Sequence, residues 1–86
     1  MSAETAQTVA LKCLAFLAEN EDALTRLFSI TGMDAAALRA HVDEPETLAA
    51  ILDFLLADEP LLIRFCESSG IDPKSVHLAS HVLANA

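Results

Sequence analysis

Hydrophobic residues recur along this chain at spacings of three and four over almost its whole length, and short polar clusters interrupt them at intervals. That period belongs to helices with one face turned to a core, and no alternating run of the kind a half-buried strand needs competes with it. The interruptions carry helix punctuation. Asn20, Asp34, Asp58 and Asp72 stand where a side-chain oxygen can take the free N–H groups of a helix start, and Pro45, Pro60 and Pro73 stand in first turns, where a missing N–H costs little. Gly32 and Gly70 can take the left-handed conformation that ends a helix, with Met33 and Ile71 supplying the apolar contact that follows. The pattern predicts helices at about 4–18, 21–31, 35–42, 45–57, 59–69 and 73–84.

Two of these helices have unusually broad apolar faces. At about 100° per residue, Leu48, Ile51, Leu52, Phe54, Leu55 and Leu56 cover roughly half the circumference of the helix that begins at Pro45. Val9, Leu11, Cys13, Leu14, Phe16 and Leu17 do the same in the first helix, so these two are expected to pack together at the centre. The helices at 21–31 and 59–69 are one-sided: Leu24, Leu27 and Phe28 in one, and Leu61, Leu62, Phe65 and Cys66 in the other, face inward. Arg26 and Arg64 lie on their polar edges.

Sliding the chain against itself by 38 residues aligns Leu14 to Val42 with Leu52 to Ser80 without a gap. Eight of the 29 pairs are identical, among them Leu14/Leu52, Phe16/Phe54, Arg26/Arg64, Gly32/Gly70 and Asp34/Asp72. They fall on caps and core positions, the signature of a duplicated structural unit. The expected fold is therefore all-α: a compact six-helix bundle, one domain over 1–86, made of two tandem three-helix repeats (about 8–42 and 46–84) related by a pseudo-twofold axis.

Eighty-six residues suffice for a single small core, which leaves function to the surface. The formal charge of −8 opposes binding to nucleic acid or to anionic lipid. Ten of the thirteen acids fall at helix starts, where they complement the helix dipole, so the acidity reads as helix chemistry. The N-terminus has no basic leader, and no apolar stretch approaches the roughly 18–20 residues needed to span a bilayer, which makes a cytoplasmic location the expectation. Cys13 and Cys66 lie on apolar faces without C-x-x-C spacing and read as reduced core thiols.

Candidate chemistry is sparse. His77 and His81 have the i, i+4 spacing of helical zinc ligands, but they lie nearly opposite the arc of Val76, Leu78, Ala79, Val82 and Leu83, and no third ligand is evident, so at most weak metal binding is expected. His41, near a short helix end, reads as a partner of the helix dipole. The turn at Gly70 also fits a helix-turn-helix presenting Lys74, His77 and His81, with too little positive charge to hold a phosphate backbone. Neither cysteine can meet an outward-facing histidine for thiolate activation, adjacent carboxylates are explained by capping, and the two glycines have turns to make rather than phosphates to cradle. No enzyme activity, cofactor or small-molecule substrate is expected.

The segment L-D-F-L-L-A-D-E-P-L-L-I-R-F-C at 52–66 with G-I-D-P at 70–73, and L-A-F-L-A-E-N-E-D-A-L-T-R-L-F with G-M-D in the first half, resembles a family of short alphaproteobacterial proteins known as a domain of unknown function. The likeness spans nearly the whole chain. It implies a compact helical domain and carries over no catalytic residue, cofactor or substrate.

What the pattern does offer is apolar surplus. The apolar fraction of 53% and mean hydropathy of +0.42 are high for so small a core. The expected role is a protein-interaction or regulatory module that binds another protein or itself, for instance as a homodimer, through surface beside the broad helices, with Leu11 and Leu48 as probes. Arg26 and Arg64 are either members of local ion pairs, with Asp22 and Glu67, or matching anchors for a partner.

Overall fold

A computed structural model describes residues 1–86 and contains six α-helices: α1 (Ala3–Ala18), α2 (Glu21–Thr31), α3 (Ala35–His41), α4 (Pro45–Leu56), α5 (Glu59–Ser69) and α6 (Pro73–Ala84). Each boundary lies within a residue of the expected one, because the caps that set it are local. The side chains of Asn20, Asp34, Asp58 and Asp72 accept N–H groups of Ala23, Ala37, Leu61 and Lys74 at 2.8–3.2 Å. Ser2 does the same for Thr5 at the start of α1. Glu44 is the exception. Its side chain makes no cap bond to α4, where Pro45 has removed a donor, and pairs with the His41 ring instead. His41, read from sequence as a dipole partner alone, thus ties the end of α3 to the start of α4.

The turns after α2 and α5 are built alike. Gly32 and Gly70 have φ of +76° and +74°, and their N–H groups donate to Phe28 and Cys66 carbonyls. A Cβ on either would meet no atom within 4 Å, so glycine is required by backbone conformation and not by crowding. In both turns the residue before glycine adds a second clasp. The Thr31 hydroxyl donates to the Leu27 carbonyl and accepts from the Met33 N–H; the Ser69 hydroxyl donates to the Phe65 carbonyl and accepts from the Ile71 N–H.

Three helices, not two, make the centre. The long helices α1 and α4 do lie together, but α6 packs along both of them, α2 sits on α1 and α5 on α4. Leu17, Leu48, Ile51, Leu52, Leu55, Phe65, Val76 and Leu83 are all but fully buried there. The reason α6 can sit between two neighbours is its mixture of sizes: small Ala79 and Ser80 are buried alongside Val76 and Leu83, which permits close approach. Ser80 is the one buried polar residue, and its hydroxyl donates to the Asp53 carboxylate at 2.6 Å, which satisfies it and ties α6 to α4. Leu78, placed by its period in the apolar arc of α6, is exposed, because the buried face is narrower than that arc.

The chain is an all-α compact globule. Its accessible surface of 5006 Å² is close to the roughly 4900 Å² expected for a compact monomer of its mass. The helices of the two sequence repeats do not occupy equivalent places throughout: α3 makes no approach to α1 or α4 comparable with that of α6 to α4.

Candidate functional site

Proline at position 45 decides the shape of the first half. It disfavours helical geometry at the residue before it, and Glu44 is extended (φ −85°, ψ 128°), so α3 ends after seven residues. Too short to cover its neighbours, α3 stands off α1 and leaves a groove of about 430 Å³ between α1, α2 and α3. Leu14 and Ala18 of α1, Leu24 and Phe28 of α2, and Ala35, Leu38 and the adjoining Val42 line it. Leu38 is buried; Leu14, Leu24, Phe28 and Val42 are half-buried. Leu14, Leu24 and Phe28 lie on faces that read from sequence as apolar and inward, and the missing signal was tertiary: only the stance of α3 separates a groove from a closed interior.

Arg39 is the single polar residue of the groove lining. It sits exposed in the last turn of α3, where its charge complements the free carbonyls, and it joins neither of the two ion pairs in the structure.

The two arginines singled out by the repeat do not form the local pairs expected of them. Arg26 reaches across to α5, where its guanidinium meets Asp58, the α5 cap, at 2.9 Å and lies 5.9 Å from the centre of the Phe54 ring. That hydrogen bond, followed by the one from the Leu61 N–H, holds the Asp58 carboxyl below the usual carboxylate range. Arg64 lines a polar pocket of about 420 Å³ with Phe16, Glu19, Asn20, Glu21, Asp22 and Ser68, and forms no ion pair. Thus Arg26, Phe54 and Asp58 have counterparts 38 positions away in Arg64, Phe16 and Asn20, gathered in one place with an amide where the other has a carboxylate.

The surface probes separate. Leu11 is 47% exposed, as expected, but Leu48 is 1% exposed, because α4 is covered on almost its whole apolar arc by α1, α5 and α6. Leu48 therefore belongs to the core and not to an interaction surface. His77 and His81 are exposed on α6, and no His, Cys, Asp or Glu joins them to make a group of three. Cys13 is buried, which pushes its thiol up to about 12, and Cys66 is raised by burial and then by the Asp72 charge; both are free thiols. No helix is long and apolar enough to cross a membrane.

No curated protein and no solved structure matches the chain. One family does, described as "Protein of unknown function (DUF3572)", over residues 3–86. Since that match spans nearly the whole of the six-helix globule, the chain belongs to the DUF3572 family.

Proposed function

We propose that this protein is a cytoplasmic interaction module, acting by binding another protein or a second copy of itself and not by catalysis, and that it arose by tandem duplication of a three-helix unit. The observation that carries the binding role is the groove: an open pocket lined by seven apolar residues and Arg39. An apolar pocket with a polar group at its edge is the usual place for a ligand or partner to bind. The duplication is supported by the matched caps, the two left-handed glycines, the paired hydroxyl clasps and the two arginine clusters. The net charge of −8 counts against a nucleic-acid role for the α5–α6 turn.

A photoreactive residue placed at Ala35, on the groove wall, tests the binding role in the native cytoplasm against the same residue at Ala40, an exposed α3 position outside the lining. The expected result is a discrete adduct from Ala35 alone, with a partner or with a second copy of the chain. Equal labelling from both positions would remove the groove from the reading.

A further inference from the structure

Resting on that reading, we propose that the groove takes an amphipathic helix of a partner protein whose apolar face carries one Asp or Glu to meet Arg39. The lining dictates the ligand's chemistry. Seven apolar residues ask for aliphatic side chains, and the lone guanidinium at the wall, engaged by no carboxylate of its own chain, offers a paired hydrogen bond to one. The remaining surface restricts the rest of the helix. With a net charge of −8 the protein repels an acidic partner at long range, so the solvent face of the bound helix is basic and the carboxylate is confined to the side that meets Arg39.

The second half of the molecule shows the wall occupied. Thirty-eight positions after Leu14, Leu24 and Leu38 stand Leu52, Leu62 and Val76, all buried, and there α6 continues as helix through Ser80 to Ala84, with Leu83 in the core. The first half has Val42-Asp43-Glu44-Pro45 in place of Ser80-His81-Val82-Leu83, so what it lacks is helix carrying small and aliphatic residues. A fatty acid also combines an apolar body with a carboxylate, but in an open groove it would leave part of its chain in water, whereas a helix has a polar face to put there.

A displayed library of helical peptides about four turns long, selected against the full chain, tests this. The winners should carry aliphatic residues at i, i+3 or i+4, and i+7 with one acidic residue on the same face, and should shift the NMR signals of Leu14 and Phe28. Exchanging Arg39→Glu should weaken them about tenfold, and a second selection on that variant should return Lys or Arg at the acidic position. Winners that move Leu14 and Phe28 but carry no acidic residue and ignore Arg39→Glu would overturn the Arg39 pairing and leave the interaction role standing. If no peptide perturbs the groove while a fluorescent fatty acid does, both fall.

Discussion

The first and second halves of this chain share their punctuation and differ in their third helix. Both have an Asn or Asp cap, a left-handed glycine at nearly the same φ, a hydroxyl clasp and an Asp cap for the helix that follows. Yet α6 runs twelve residues and fills the space between α1 and α4, while α3 runs seven and stands aside. One position explains much of the difference. Where the second half has Leu83, 1% exposed in the core, the first has Pro45, which ends α3 and starts α4. The pair teaches that local signals fix where helices begin and end, whereas the length left between two stops determines whether a helix can join the core.

The largest test of this contrast removes equivalent leucines. Leu52 is wholly buried on α4, and Leu52→Ala should cost about 2–5 kcal/mol by urea denaturation. Leu14, its counterpart on the groove wall, is half-buried with open space beside it, so Leu14→Ala should cost about 1 kcal/mol. Equal losses would mean that the groove is closed in solution and that the two halves pack alike.

The glycines test the shared part of the comparison. Because Gly32 and Gly70 have the same φ and an open space at Cβ, alanine at either is strained only through its backbone. Gly32→Ala and Gly70→Ala should each cost about 1–2 kcal/mol, in near-equal amounts, as midpoints of chemical denaturation will report. A twofold disparity would show that the turns are held differently despite their common geometry.

The features legible in the sequence were those whose cause lies within four residues. Asn20 and Asp58 bind N–H groups three residues on, and Gly32 and Gly70 close bonds four residues back, so cap and stop can be read without a fold. What escaped spans the chain. The Ser80–Asp53 bond joins residues 27 apart and the Arg26–Asp58 pair residues 32 apart, and no periodicity announces either. Leu11 and Leu48 show the same limit: both lie on broad apolar arcs, but exposure depends on which neighbour covers the arc, and α4 has three close neighbours over its face. The groove was hidden for that reason too, since its leucines have core spacing and only the missing turns of α3 leave them open.

The smallest expected effects lie in the two arginine clusters, where the halves differ by one amide. Asp58→Asn keeps an N-cap acceptor for Leu61 while removing the charge that Arg26 meets, so it isolates the ion pair from the cap. The Arg26 side chain is 55% exposed, which limits the loss to below about 1 kcal/mol, greater at low salt than at high. The pH dependence follows from the direction of the shift. Asp58 ionises more readily in the folded chain than in the unfolded one, so its contribution is present above the unfolded pKa of about 4 and is lost as pH falls through the lower folded value. The gap between wild type and Asp58→Asn should therefore close in acid. Asn20→Asp makes the reverse change beside Arg64. It should give a smaller gain, a few tenths of a kcal/mol, because Glu19, Glu21 and Asp22 share the pocket and oppose another negative charge. Adding salt should then shrink both the attraction and the opposition, leaving Asn20→Asp nearly neutral. If instead Asn20→Asp stabilises as much as Asp58→Asn destabilises, the three neighbouring acids do not matter and the two clusters are energetically alike.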